Sequence, residues 1–315
     1  MLAEVRRQNR LLDWLPRFKV RRRADVMLIQ SILRLTQLRA NWAVRRAGVS
    51  LERRLVGPGK VPVRILRPAG PVRGVVFDIH GGGWVIGNAR VDDSLNLATI
   101  RDCDVAVVSV DYRLAWHIPI ASLIEDCHQA ARWLLRGSLP GTRNLPVVVV
   151  GESAGGHLAA AVLQRLRAEP KLLRRVAGAL LYYGVYDFAG TPSAHRAGPE
   201  TLVLHGPGLV TDLGRLTPGL TEAQRREPAL SPLYGELKGM PPALMVAGRL
   251  DPLIDDTLLL AERWQDAGAE ARMLLVPESP HGFIHFRSRL SNRVLGRCRA
   301  WINERLDATS EGTNP

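Results

Sequence analysis

The sequence predicts an α/β architecture: a mostly parallel central sheet flanked by helices, with a helical cap above it. Three observations predict it. From residue 60 onward, short β-branched runs bounded by Gly or Pro alternate with helix-length segments, the rhythm of repeated βαβ units. Several runs are near-continuously apolar, such as Val147-Val148-Val149-Val150, as central parallel strands covered on both faces require. Between residues 184 and 232 the rhythm stops and Gly, Pro and Ser become frequent, so an insertion over the sheet is expected there.

Residues 1–54 are expected to form a basic helical cap segment. Within it, Val20 to Ala47 carries Val26, Ile29, Ile32, Leu33, Leu35 and Leu38 at mostly three-to-four-residue spacing between arginines, the pattern of an amphipathic helix. Its apolar face is expected against the body with the arginines solvated; a membrane surface or an acidic partner is the alternative. Residues 55–183 and 233–307 make the core. Strands are expected at Val61 to Leu66, Gly74 to Ile79, Val105 to Val110, Val147 to Val150, Gly178 to Tyr183, Ala243 to Ala247 and Ala271 to Val276. Helices fill the gaps at Ser122 to Leu135, Gly155 to Arg167, Leu253 to Ala267 and Ser288 to Arg305. In the 184–232 insertion only Glu222 to Glu227 has helical character, and residues 308–315 read as a frayed tail.

Composition narrows the function classes. The 315 residues suit one large domain with an inserted cap better than two domains. A hydrophobic fraction of 46% with 23% charged residues excludes a disordered or fibrous chain. Cys103, Cys127 and Cys298 are scattered, with no Cys-x-x-Cys spacing for zinc or redox work, and fit reduced thiols in the cytoplasm. Arg6, Arg7 and Arg10 are followed by no signal-like apolar stretch, and no 18-residue uncharged run exists, so a soluble, unexported chain is expected. Of the net charge of +13, residues 1–54 supply most, with 14 Lys/Arg against 4 Asp/Glu. Only Trp14, Phe18 and Trp42 are interleaved there and no nucleic-acid motif appears, so no nucleic-acid partner is expected. A weak contact of this segment with an anionic membrane surface is the remaining use for its charge.

The chemistry centres on Gly151-Glu152-Ser153-Ala154-Gly155. A buried strand precedes this pentapeptide, and Gly155-Gly156-His157-Leu158 opens a helix after it, so Ser153 sits on the strand-turn-helix of a nucleophile elbow. The flanking residues must be small because the turn is strained. Upstream, a strand ends in His80-Gly81-Gly82-Gly83-Trp84, a side-chain-free loop able to aim amides at an oxyanion; Gly82, Gly83 and Ala154 are the expected donors. The missing Gly-Lys-Ser/Thr and Gly-x-Gly-x-x-Gly patterns disfavour phosphate cradling.

A serine hydroxyl needs a base, and the base an orienting acid. On an α/β-hydrolase fold these follow the nucleophile in the order acid, then His. Ala243 to Ala247 runs into Gly248-Arg249-Leu250-Asp251, which selects Asp251; Asp255 and Asp256, one turn into the next helix, are the competitors and are expected to face solvent or cap it. The last strand leads to Pro280-His281-Gly282-Phe283, which selects His281. His285 is expected on a helix face, His195 and His205 in the cap, and His157 on the elbow helix.

With these residues placed, the sequence resembles the hormone-sensitive-lipase family of esterases. Four motifs between residues 80 and 283 carry the resemblance: His80-Gly81-Gly82-Gly83-Trp84, Asp111-Tyr112-Arg113-Leu114-Ala115, Gly151-Glu152-Ser153-Ala154-Gly155-Gly156, and Asp251-Pro252-Leu253 with Pro280-His281-Gly282-Phe283. Leu180 to Tyr186 and His281 to Phe286 are similar to bacterial acetyl esterases. The resemblance implies hydrolysis of small, short-chain acyl esters with no metal or organic cofactor, and a cap that shapes the pocket. The chain departs from it at Glu152, where the family usually has Asp, and at Trp116-His117, where it usually has Pro-Glu.

The expected mechanism is a Ser153, His281 and Asp251 triad working through an acyl-enzyme, with Trp84 and cap residues walling the acyl pocket. A serine peptidase or amidase on the same fold and a non-catalytic binding module are the alternatives. A monomer or homodimer is expected.

Overall fold

The computed structural model describes residues 1–19 and 23–311. Its eight strands are β1 (Val49–Val56), β2 (Val61–Pro68), β3 (Gly74–Ile79), β4 (Val105–Val110), β5 (Val147–Glu152), β6 (Val176–Tyr182), β7 (Ala243–Gly248) and β8 (Ala271–Val276). They form one sheet in the order β1-β2-β4-β3-β5-β6-β7-β8. β1 pairs antiparallel with β2 and β2 with β4, and every pairing from β4 to β8 is parallel. β3 has β4 on one side and β5 on the other, so the winding direction reverses there. A crevice opens beyond the carboxyl ends of strands at such a reversal.

The helices are α1 (Leu2–Leu12), α2 (Arg23–Thr36), α3 (Ala40–Arg46), α4 (Asp93–Cys103), α5 (Ile120–Leu135), α6 (Ala154–Leu166), α7 (Pro170–Leu173), α8 (Pro192–His195), α9 (Leu209–Leu216), α10 (Glu222–Arg225), α11 (Ile254–Asp266) and α12 (Arg289–Glu311). Each strand of the centre must bury both faces, and two apolar clusters do this. Leu123, Leu134, Leu158, Val162 and Trp264 of α5, α6 and α11 close one face. Ile100, Val294, Trp301 and Leu306 of α4 and α12 close the other.

Three expectations are corrected. The N-terminal helical segment ends before residue 49, not at 54, because β1 is a sheet strand. It lies at the edge, carries Glu52-Arg53-Arg54 at its middle, and no apolar run marks such a strand. The helix expected from Val20 to Ala47 is two helices, α2 and α3, separated by a turn; Val20 to Arg22 lie outside the described residues. Finally, α12 continues through residues 308–311, and residues 312–315 lie outside the described ones.

The amphipathic expectation for this segment holds in part: Val26 is buried and Ile29 and Leu33 are half-buried. Toward the body α2 turns Val26 and Gln30, which exchanges two hydrogen bonds with the Gly87 backbone, and just after it the buried Gln37 accepts from Asn88 Nδ2 at 2.8 Å. Ile32, Leu35 and Leu38, expected inside, are 51%, 63% and 75% exposed. Between α1 and α2 the chain meets the insertion: Phe18 N–H donates to Val203 O at 2.7 Å, and Arg17 Nε to Thr201 O at 2.7 Å.

Candidate active site

β5 delivers Ser153 into a conformation that L-residues seldom adopt, φ 52° and ψ −120°, and α6 begins at the next residue. Close packing holds it there. A Cβ on Gly155 would lie 1.9 Å from the Ile79 carbonyl oxygen, so the helix approaches β3 only because that residue is glycine. The strain is a local cost of order 1–3 kcal/mol that the surrounding sheet over-determines, and it lifts the half-buried Ser153 hydroxyl above the sheet.

Asp251 follows β7 and His281 follows β8. The Ser153 hydroxyl donates to His281 Nε2 at 2.8 Å, and His281 Nδ1–H donates to Asp251 Oδ2 at 2.9 Å. The carboxylate only accepts, which assigns the Nδ1–H tautomer and leaves Nε2 as the acceptor toward serine. Asp251 Oδ1 accepts from Leu253 N–H at 2.9 Å, and both Asp251 and His281 are buried. Residues 30 and 128 positions apart in the chain thus meet in one line.

Next to this line lies the glycine loop. Gly82 and Gly83 have φ of 114° and 56°, and the Gly82 carbonyl is turned back to accept from Val85 and Ile86 N–H. A Cβ on Gly82 would fall 2.2 Å from the Ile86 carbonyl oxygen. Among the described residues no carbonyl accepts from the amides of Gly82, Gly83 or Ala154.

Trp84, expected as a pocket wall, is 3% exposed; its indole N–H donates to His157 Nδ1 at 3.1 Å and its ring packs on Phe188 at 4.8 Å. It supports the loop from inside the core. His157 in turn donates from Nε2 to Leu230 O at 2.7 Å, tying α6 to the insertion. Trp116, standing where the family usually has Pro, donates from its indole to Val85 O at 3.0 Å and braces the same loop.

Sequence reasoning missed three things around the site. Phe18 sits over the glycine loop, so that a Cβ on Gly83 would lie 2.8 Å from its ring; no local signal marks a contact across 65 residues. Asp256, expected to face solvent or cap its helix, is fully buried and accepts from Tyr186 N–H, Asp187 N–H at 3.0 Å and Thr191 Oγ1 at 2.6 Å. Burial pushes its carboxyl up to about 7, although those donors pull the other way.

The third is Glu152 with His285. Glu152 Oε2 accepts from both Tyr183 Oη and His285 Nε2, each at 2.7 Å. Burial alone would raise the Glu152 carboxyl, but the His285 charge and these two hydrogen bonds outweigh it and hold it at about 2. The Glu152 charge lifts His285 to about 9, against the opposing effect of burial. His285 therefore lies on a short 3-10 turn as a charged partner, not on a helix face. Asp92, also buried, stands 3.9 Å from His285 Nε2, and Asp92, Glu152 and His285 place one donor atom each within 4.8 Å of one another. Tyr183 joins this set to the first, its ring edge-on to His281 at 4.8 Å between centroids.

Comparison with known proteins agrees with this fold. Residues 76–285 match the model of a family described by its α/β hydrolase fold. The carboxylic ester hydrolase LipN of Mycobacterium tuberculosis is 32% identical over 73% of this chain and 62% of its own length. Ethyl acetate hydrolase of Pseudomonas putida is 30% identical over 72% of this chain and 73% of its own. The crystal structure of esterase LipW from Mycobacterium marinum superposes with a TM-score of 0.82 at 28% identity, covering 95% of each chain. These matches support the resemblance to hormone-sensitive-lipase-type esterases. No helix among the described residues is long and apolar enough to cross a membrane.

Proposed function

The chain belongs to the α/β-hydrolase-fold family and is a carboxylic ester hydrolase, and from that premise we propose that it is a serine esterase acting on small, short-chain acyl esters. The observation that carries this reading is the Ser153–His281–Asp251 line, with hydrogen bonds of 2.8 and 2.9 Å. His281 Nε2 takes the hydroxyl proton as Ser153 Oγ attacks the ester carbonyl carbon, and Asp251 holds the imidazolium that forms. The carbonyl oxygen gains negative charge and is met by the amides of Gly82, Gly83 and Ala154, each worth a factor of about 10²–10³. His281 then protonates the departing alcohol, leaving Ser153 acylated. Water, deprotonated by the same nitrogen, releases the acid.

Several finer points belong to the same reading. Phe18, held by the insertion through Val203, narrows the space above Gly83, which favours a short acyl group, while Trp84 shapes the pocket by fixing the loop. The three cysteines are free and buried, in keeping with a cytoplasmic chain. The protein works as a monomer or homodimer, with weak contact to anionic membrane through its basic N-terminal segment.

The test is turnover of para-nitrophenyl esters from acetate to palmitate by the wild type and by Ser153→Ala. Acetate or butyrate is expected to be preferred, and Ser153→Ala to lose activity by about 10⁴-fold or more. Full activity in Ser153→Ala would overturn the mechanism, and a preference for palmitate the substrate class.

A further inference from the structure

Beneath α2 an open cleft of about 520 Å³ gathers Arg34 of α2, Arg53 and Arg54 of β1, Arg64 of β2, and Arg90 from the loop before α4. Two of these guanidinium groups are neutralised. Arg64 forks onto Asp93 with hydrogen bonds of 2.9 and 2.8 Å, and Arg54 pairs with Glu52. Arg34, Arg53 and Arg90 have no carboxylate within ion-pair distance among the described residues. Asp111 lines the same cleft and offsets part of their charge. Arg90 is partly buried with Arg53 and Arg64 facing it, and burial and those two charges outweigh the support that Asp93 and Asp111 give to its own. Such an array of like charges repels itself unless an anion joins it.

The rim of this cleft is apolar. Leu38 and Leu55 line it beside Arg34 and are 75% and 66% exposed. They continue an exposed apolar stripe: Leu28, Ile32 and Leu35 at helical spacing on α2, Leu38 in the turn after it and Trp42 on α3, each more than half exposed. The inward side of this segment is already occupied through Val26 and Gln30 of α2 and Gln37 just after it, so the stripe has no partner among the described residues. A second copy of the chain would bring two N-terminal segments of 14 Lys/Arg and 4 Asp/Glu against each other. Charge complementarity selects an anionic occupant with an apolar portion beside its charge.

We infer that the N-terminal cap docks on an anionic phospholipid surface, with a lipid phosphate held in the cleft by Arg34, Arg53 and Arg90 and the Leu28-to-Trp42 stripe lying at the headgroup–acyl boundary. This gives a site and a ligand to the weak membrane contact in the reading above; it rests on that contact and not on the Ser153 chemistry. Guanidinium forks suit phosphate oxygens, and a helix with exposed leucines and tryptophan between arginines suits the interface.

Co-sedimentation of the full chain with phosphatidylcholine vesicles, with and without phosphatidylglycerol, at low and raised salt, tests it. Two triple variants accompany the wild type: Arg34→Ser with Arg53→Ser and Arg90→Ser, and Leu28→Ser with Ile32→Ser and Leu35→Ser. Circular dichroism and para-nitrophenyl acetate turnover monitor fold and esterase activity separately, so a failed esterase reading is visible on its own. Binding is expected only with phosphatidylglycerol, weakened by salt and reduced about 10- to 100-fold in the arginine variant. The leucine variant is expected to lose binding as well. Wild-type binding by the arginine variant overturns the headgroup site while keeping the surface contact; no binding by the wild type overturns both. Equal binding to both vesicle types overturns the anionic ligand. A dimer in analytical ultracentrifugation that the leucine variant abolishes assigns the stripe to a second copy. Thermal stabilisation by inorganic phosphate without vesicle binding makes the cleft a soluble-phosphate site, and the lipid proposal falls.

Discussion

Two histidine–carboxylate pairs flank Ser153, their histidines four residues apart in the chain, and they are wired in opposite senses. His281 spends Nδ1 on Asp251 and turns Nε2 to the serine hydroxyl. His285 spends Nε2 on Glu152, at 2.7 Å, and carries a charge because of it. Proximity to a carboxylate therefore does not by itself make a histidine a base. What decides is which nitrogen remains as an acceptor and what that nitrogen faces. In the proposed mechanism the first pair serves proton transfer; the second holds the elbow, since Glu152 immediately precedes Ser153 and its Tyr183 partner packs against His281.

The comparison breaks most directly at the first pair. His281→Ala is expected to lower kcat on para-nitrophenyl acetate by about 10⁶-fold and Asp251→Asn by about 10⁴-fold, with KM little changed. Equal losses from His285→Ala would erase the distinction between the pairs. Gly82→Ala comes next: its added Cβ would meet the Ile86 carbonyl at 2.2 Å and its φ of 114° resists any side chain. A loss of about 10²–10³-fold in kcat is expected, with circular dichroism unchanged, because a displaced amide is lost from the oxyanion side alone.

Glu152→Gln sharpens the second half of the comparison. It removes the charge that two donors share while keeping the shape, and is expected to lower kcat only about 3- to 10-fold while lowering the melting temperature. Glu152→Asp should recover much of both. A loss approaching that of Asp251→Asn would mean that Glu152, not Asp251, sustains the imidazolium in the transition state.

How much of this was legible follows from what each element must bury. The seven strands from β2 to β8 show in the sequence because apolar or β-branched runs mark them, and the Ser153, Asp251 and His281 positions show because each lies in the turn or loop after such a strand. β1 lies at the edge with charged residues outward, so no apolar run marks it. The amphipathic pattern of α2 was legible as a stripe, but periodicity does not say what a stripe faces; two glutamines bonded to the body decided that. Asp256 reads as an exposed helix-start acid, yet its donors come from Tyr186 and Asp187, some 70 residues earlier, after β6. Glu152 and His285 likewise find each other only once β5 and the turn after β8 are brought together.

The smallest effect expected is also the one most specific to the second pair, a pH-dependent contribution to stability. His285 is raised from 6.5 to about 9, by the Glu152 charge first and its hydrogen bond as well, so its contribution is complete below about 6.5 and is lost as pH rises through about 9. Glu152 is held at about 2, below its ordinary 4.5, so its contribution is present above 4.5 and lost as pH falls through about 2. Between these limits the pair is fully charged. The His285 side chain is 34% exposed, so solvent screens part of the attraction, and His285→Gln is expected to cost about 1–2 kcal/mol near pH 6. Urea unfolding of the wild type and His285→Gln should show that gap at about pH 6 and its near disappearance by about pH 10. A gap that stays constant across this range would mean that His285 contributes through packing, and the second pair would then be ionic in geometry only.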